Sequence, residues 1–378
     1  MNSQIQKKLL IYKEPYRLFF PLGVVMLLWG ALIWLSQIWG AEIYPVLLHR
    51  YLMLNGFSAF FVAGFLMTAV PKFSQTQSAH PLEVYGYLTV FLIGLMWAFL
   101  NNESYTYFTS GLSGIVLLSF LLRRILTKKV NPPYSFLFIF IGLFLWIFSS
   151  FISSFWPYDS YKNIHSEGAM MAIILGVGSR LIPGILGHVE VVQTQRAAYE
   201  TNRSFLATVP LVFFLLIASF VGSYFINDSI GNWIRLFVVG WIAITYWRLL
   251  SLPKERTVLT WNIWACGWII VSSFIIRAVW ASGGIHIGHS FFFGGIVLLS
   301  FLIATRVLQS HGPGDKRFEN LKVLYLVNFL IVLAGATRVT AMLMEESYYR
   351  HLGYSSFTLV LATLIWSFIY LPLVRVSR

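Results

Sequence analysis

Long apolar runs separated by short polar segments extend along the chain from end to end. A helix needs about 20 apolar residues to cross the hydrocarbon core of a bilayer. The sequence contains twelve such runs, and no polar segment between them is long enough to form a soluble domain. The pattern predicts an all-α protein, a single integral membrane domain over residues 1–378 built as a polytopic bundle of about twelve transmembrane helices. The predicted spans are approximately 17–39, 45–71, 83–100, 105–126, 134–156, 166–187, 204–226, 231–251, 257–282, 285–310, 321–345 and 353–374.

Lysine and arginine are distributed unequally between the two sets of loops. They concentrate in both tails and in the loops that follow even-numbered spans, whereas the opposite loops hold only Lys162 and Arg350. Because loops rich in lysine and arginine stay in the cytoplasm, both termini are predicted to be cytoplasmic.

Composition supports a membrane environment and argues against a nucleic-acid partner. Of the residues 58% are hydrophobic and 11% charged, whereas soluble domains carry about 25% charged residues. The formal net charge of +13 would suit phosphate binding, but the basic residues are scattered through short loops between apolar runs. Cys266 is the one cysteine, so neither a disulfide nor a CxxC metal site is available. The lipid bilayer is the partner that composition predicts.

Five of the eight histidines fall at the predicted outer ends of spans that run in one direction. His49, His165 and the pair His286 and His289 open spans 2, 6 and 10, and His351 precedes span 12. Imidazole is a common ligand of metal ions and of haem iron. His49, His165 and His289 are therefore candidate cofactor ligands, and His49, His286 and His289 are candidate metal ligands. The alternative is that these rings are structural side chains at the membrane interface.

Arg180 and Arg338 lie inside apolar runs, where a charged side chain is costly and usually functional. A guanidinium binds carboxylates bidentately, so both arginines are candidate cofactor-binding residues for haem propionates or for an anionic substrate. The structural alternative is that they bond to helix-end carbonyls or extend to the interface.

Spans 2, 6 and 10 are spaced four helices apart, and each begins near a histidine. Spans 6 and 10 also share an arginine in the inner half, Arg180 and Arg306. The spacing indicates three four-helix units, a type of internal repeat known in membrane proteins.

Several segments resemble the NnrS family of bacterial membrane proteins. Span 2 carries M-L-N-G-F and A-G-F-L-M-T-A-V-P, which are similar to the family's M-L-F-G-F and A-G-F-L-L-T-A-V-P. The other similar segments are Pro15–Phe20, Gly176–Pro183 and His289–Gly312. The resemblance implies a haem- and copper-binding protein of the bacterial inner membrane that acts in the response to nitric oxide and nitrosative stress. Nitric oxide or an electron donor would be a further partner.

The family's H-x-H-E-M opening reads His49-Arg50-Tyr51-Leu52-Met53 here. Tyr51 and Leu52 replace a histidine and a glutamate, so the resemblance supports haem more strongly than copper.

A secondary transporter of a small anionic or metal-containing solute is the alternative function, since twelve helices with both ends inside suit many transporters. Whether the protein is an enzyme is left open by the sequence. Hydrolytic and nucleotide-binding motifs do not occur in it.

Overall fold

The computed structural model describes residues 11–36, 45–156, 159–201, 204–312 and 314–376. All regular secondary structure in this part of the chain is helical, so the predicted all-α class is confirmed. The principal helices are α1 (Tyr16–Leu35), α2 (Val46–Ser74), α3 (Pro81–Phe99), α4 (Glu103–Leu126), α5 (Phe136–Phe155), α6 (Tyr161–Ile185), α7 (Val189–Thr201), α8 (Ser204–Phe225), α9 (Asp228–Thr245), α10 (Val258–Val279), α11 (Ala281–His311), α12 (Val323–Thr340) and α13 (Tyr348–Tyr370).

Eleven of these helices are long and apolar enough to cross a membrane within the described ranges. Helices α1 to α6 correspond to predicted spans 1 to 6, and α8 to α13 correspond to spans 7 to 12. Helix α7 lies in a segment that the sequence predicts as a loop. The protein is thus a polytopic helical membrane protein, as predicted.

The predicted eighth span, 231–251, differs most from the structure. It corresponds to α9, which begins earlier, ends at Thr245 and is not among the eleven apolar helices. Asn232 and Arg235 make this helix more polar, and both are buried. Arg235 donates hydrogen bonds to Ser219 Oγ at 3.2 Å, to Ser223 Oγ at 3.0 Å and to Asn232 Oδ1 at 2.7 Å. These protein contacts solvate a charge that would be costly in hydrocarbon.

The helices that correspond to spans 2, 6 and 10 share a feature that the sequence did not reveal. Each contains one π-helical segment: Leu52–Ser58 in α2, Ile164–Ala169 in α6 and Phe292–Leu298 in α11. They are also the most buried of the eleven candidate spans, at 89%, 72% and 83%, whereas the others are 61% buried or less. π-Helical turns are rare and occur frequently at functional sites.

A π-helical turn frees backbone carbonyl groups that an α-helix would pair. In α2 the hydroxyl of Ser58 donates to the carbonyl oxygen of Met53 at 2.8 Å. In α11 the thiol of Cys266 donates to the carbonyl oxygen of Gly294 at 3.4 Å. Polar side chains therefore stabilise the widened turns inside the apolar interior.

The chain divides into two compact units. The first unit comprises Met1–Gly30, Pro45–Pro133 and Phe140–Ile173, and the second comprises Ala31–Tyr44, Tyr134–Ile139 and Ile174–Arg378. The candidate residues His49 and His165 belong to the first unit. Arg180, His286, His289 and Arg338 belong to the second.

Candidate cofactor site

His165 lies inside the first unit, within the π-helical segment of α6. The sequence predicts it just before a span that starts at 166, but α6 begins earlier and the side chain is 1% exposed. Its ring stacks on the indole of Trp146, with centroids 5.5 Å apart and planes inclined by 25°. Its Nε2 is buried and has no hydrogen-bond partner among the described residues. A buried imidazole nitrogen in this state can act as a ligand.

A buried polar network holds Trp146 in place. The Trp146 Nε1–H donates to Ser110 Oγ at 3.0 Å, and the Ser110 hydroxyl donates to Asn55 Oδ1 at 2.7 Å. Ser150 Oγ lies 3.2 Å from Ser110 Oγ. Because Asn55 belongs to the π-helical segment of α2, the network connects that segment to the one that carries His165.

Two basic side chains of the first unit, Arg50 and Lys162, each have a polar partner. Arg50 Nη1 donates to the Tyr107 hydroxyl at 2.8 Å, and the positive charge of Arg50 acts on the His165 ring. Lys162 forms an ion pair with Glu103, at 2.5 Å between Nζ and Oε1. The positive charge of Arg50 beside the buried histidine favours an anionic group such as a carboxylate nearby.

His49 lies three residues before the π-helical segment of α2. Its Nδ1 is 2.8 Å from the carbonyl oxygen of Gly30. Since a carbonyl can only accept, Nδ1 carries the proton, and Nε2 of the neutral ring is unprotonated. A histidine that binds a metal usually donates its other ring N–H in this way, so His49 has the tautomer of a ligand.

His289 in the second unit repeats this arrangement. It also lies three residues before a π-helical segment, and its Nδ1 is 2.6 Å from the carbonyl oxygen of Ile285. The same argument places the proton on Nδ1 of His289. The two histidines therefore correspond in position and in tautomer.

His286 and Arg338, both predicted as site residues, contact each other. Arg338 Nη1 donates to His286 Nδ1 at 2.7 Å. Nε2 of the neutral His286 ring then carries the proton. Tyr348 packs against the same ring edge-on, with centroids 5.7 Å apart. This bonding favours a structural role for His286 over a ligand role, because neither nitrogen then offers a lone pair to a metal.

Arg180 lies within α6 and is partly buried. Its Nη1 would be 3.5 Å from a Cβ added to Gly184, so the side chain runs toward the C-terminal end of the helix.

The donor at His165 fits the haem that the family resemblance implies. Within the described ranges, no three histidine, cysteine, aspartate or glutamate side chains are grouped to hold a metal ion. Haem iron takes four of its ligands from the porphyrin and needs one or two from the protein. The buried Nε2 of His165 fits that requirement.

The fold and this site define a class: a polytopic helical membrane protein whose most buried helices each carry a histidine in or beside a π-helical segment. The chain belongs to the NnrS family, because the family model described as "NnrS protein" matches residues 10–378. The resemblance of the sequence to this family is therefore confirmed. A comparison with curated proteins finds no match.

Tyr51 stands where the family's opening motif has its second histidine, and the structure gives it a packing role. Its hydroxyl donates to the carbonyl oxygen of Phe91 at 2.8 Å, and the two rings stack with centroids 5.5 Å apart. The side chain is 1% exposed. It fixes α2 against α3.

Sequence reasoning missed Asn55, Ser110 and Trp146. The available signal was a set of polar residues inside apolar runs, since Ser110 and Ser150 lie within predicted spans 4 and 5. Such residues mark helix faces that avoid lipid. Their partners could not be chosen without the packing of the helices.

Proposed function

We propose that this NnrS-family protein binds haem in the bacterial inner membrane and acts in the response to nitric oxide and nitrosative stress. The observation that carries the proposal is the buried Nε2 of His165, which lies in a π-helical segment without a hydrogen-bond partner. More than about nine in ten buried polar groups in proteins have a partner, so this nitrogen calls for a ligand.

His165 would bind the haem iron, and the tautomers of His49 and His289 suit them to the same task. Arg50 would pair with a propionate in the first unit, and Arg180 and Arg338 are the predicted charge partners in the second. Haem, when bound, supplies an iron centre that takes nitric oxide as a ligand. Copper remains a secondary proposal, carried by the family resemblance and not by a group of three donors.

The test is to purify the protein in detergent from haem-replete cells and record its absorption spectrum with iron and copper analysis. We expect a Soret band that shifts when nitric oxide is added. His165→Gln should remove most of this band. The matched control, His311→Gln, changes a histidine at the C-terminal end of α11 and should leave the band unchanged.

Two outcomes would count against the proposal. One is a colourless protein without iron from cells that load other haem proteins. The other is a Soret band that survives when His49, His165 and His289 are replaced together. A colourless protein that takes up a labelled anion in proteoliposomes would favour the transporter alternative.

A further inference from the structure

Four chain segments meet at one end of the first unit: the residues before α1, the end of α2, the start of α3 and the end of α4. The backbone N–H of Lys129, just after α4, donates to the carbonyl oxygen of Ser74 in α2 at 3.0 Å. The hydroxyl groups of Tyr12, before α1, and Tyr85, in α3, lie 3.3 Å apart. Side-chain ion pairs connect α3 to α4 and the residues before α1 to α2. The four segments therefore share one surface, which we call the basic end.

Basic side chains outnumber acidic ones at the basic end. Within the described part of these four segments, the charged residues are the basic Lys13, Arg17, Lys72, Arg123, Arg124, Lys128 and Lys129 and the acidic Glu14 and Glu83. The surface therefore carries a net positive charge.

Both carboxylates are bound by buried arginines. Arg17 Nη2 lies 2.6 Å from Glu14 Oε2, and the Arg17 side chain is 5% exposed. Arg124 donates to both carboxylate oxygens of Glu83 and is 4% exposed. Because the two carboxylates neutralise these buried charges, the excess positive charge falls on the exposed basic side chains.

The exposed basic side chains have a shared carboxylate partner or none. Arg123 is 65% exposed and shares its carboxylate with Arg124. Lys72 is half-exposed and likewise shares its carboxylate with a buried arginine. Lys128 and Lys129 are exposed and form no ion pair with another residue in the described ranges. An anionic ligand would supply the negative charge that this surface lacks.

Exposed basic residues of the second unit are paired differently. Lys254 Nζ lies 3.2 Å from Glu190 Oε1, and Arg317 Nη2 lies 2.6 Å from Asp315 Oδ2. Each of these two cations is therefore neutralised by a carboxylate on the protein itself.

Exposed apolar side chains lie beside the charges of the basic end. Leu122 and Leu126 flank Arg123 in α4 and are 45% and 84% exposed. Residues four apart lie on the same face of a helix. A free phosphate ion would leave these leucines uncovered, whereas a phospholipid has an anionic headgroup for the basic side chains and acyl chains for the leucines.

We propose that the basic end binds an anionic phospholipid of the surrounding bilayer. Arg123, Lys128 and Lys129 contact the headgroup phosphate, and Leu122 and Leu126 contact the acyl chains. Clusters of lysine and arginine at the ends of membrane-spanning helices attract anionic lipids, and a guanidinium group can bind phosphate through two hydrogen bonds. The site is independent of haem binding.

Electron paramagnetic resonance of spin-labelled lipids tests the proposal on the full-length protein. The protein is reconstituted in phosphatidylcholine vesicles with a trace of spin-labelled phosphatidylglycerol or, in a parallel sample, of spin-labelled phosphatidylcholine. The fraction of motionally restricted label gives the relative association of the two lipids. We expect phosphatidylglycerol to be preferred by about twofold or more, and the preference to fall at high salt. Equal association of both lipids would overturn the proposal.

Two double variants with the same change in net charge locate the site. Lys128→Gln with Lys129→Gln should lower the preference for phosphatidylglycerol markedly. The matched control, Lys254→Gln with Arg317→Gln, removes two cations that carboxylates already neutralise and should keep the wild-type preference. All four positions are exposed, and thermal unfolding in detergent checks that each variant is folded.

An equal loss of preference in both double variants would show attraction by net charge alone and would overturn the assignment to the basic end. The assignment would also be wrong if Lys128→Gln with Lys129→Gln kept the wild-type preference.

Discussion

Trp146 orients the ring of His165 by stacking on it. The indole is itself held in place by its hydrogen bond to Ser110. A phenylalanine would keep an aromatic face for stacking and would remove only the N–H donor. The bond matters because it joins Trp146 to the polar network. Ser110 Oγ accepts it, and the Ser110 hydroxyl itself donates to Asn55 Oδ1.

We expect Trp146→Phe to lower stability by about 1 kcal/mol, the usual value of one hydrogen bond. We also expect it to broaden the ferric haem signals in electron paramagnetic resonance, because the His165 ring becomes less well oriented. Trp366→Phe removes an equivalent bond to Thr305 in the second unit and should change stability alone. Identical haem spectra in both variants would contradict the positioning role of Trp146.

His188 lies between α6 and α7, outside the candidate membrane spans. Burial lowers its pKa below 6.5, while the carboxylate of Glu190 acts in the opposite direction and Lys254 and Arg248 act in the same one. The folded protein therefore binds this proton less readily than the unfolded chain. It follows that His188 costs no stability above the unfolded pKa and destabilises the fold progressively as the pH falls below that value.

We expect the wild-type protein to lose more thermal stability than His188→Asn between neutral pH and about pH 5.5, just below the unfolded pKa. The measurement is a thermal unfolding curve in detergent at a series of pH values. His80→Asn is the control, because His80 is an exposed helix cap on α3. Parallel pH profiles for wild type and His188→Asn would show that His188 is not responsible.

At the scale of elements, two of the π-helical segments contain a glycine that contacts another helix closely. A Cβ added to Gly56 in α2 would lie 2.7 Å from Met26 Cβ, and one added to Gly294 in α11 would lie 2.6 Å from Ile269. Small residues at such positions let membrane helices approach one another.

We expect Gly56→Ala and Gly294→Ala each to destabilise the protein by about 1–3 kcal/mol, the typical cost of overpacking. Gly86→Ala in α3 and Gly240→Ala in α9 are matched controls, since nothing lies within 4 Å of a Cβ at either site. In these controls the better helix propensity of alanine should raise stability by up to about 1 kcal/mol. Thermal unfolding in detergent measures all four, and equal effects would refute the packing argument.

The spacing of the histidines indicated a relationship among spans 2, 6 and 10, and the structure gives that relationship a physical form. The corresponding helices are the most buried, and each has one π-helical segment. No sequence motif predicted the π-helical segments, because the widened turn depends on the neighbouring helices. In the sequence, Gly56 and Gly294 reflect this dependence, because each packs closely against a neighbouring helix.

At the scale of the whole molecule, the distribution of basic residues predicts that both termini are cytoplasmic. The chain suits a labelling test, because its one cysteine, Cys266, is buried and its thiol donates to Gly294. Lys128 and Glu346 are exposed and lie on loops predicted to face opposite sides.

We expect Glu346→Cys to react with a membrane-impermeant maleimide in spheroplasts. Lys128→Cys should react only after permeabilisation, since loops rich in lysine and arginine stay in the cytoplasm. The wild-type protein is the control for Cys266 and should remain unlabelled. The opposite pattern of labelling would reverse the predicted orientation.

The sequence by itself determined the helical membrane class, most helix positions and the family, because a bilayer selects long apolar helices whatever their packing. It also identified the histidines as candidates, since their side chains have the right chemistry.

Only the tertiary structure decided how each candidate is bonded. It buried His165 against Trp146, joined His286 to Arg338 and gave Arg235 its polar partners on a neighbouring helix. The physical reason is that hydrogen bonds between helices depend on which faces meet, and residues far apart in the sequence supply them.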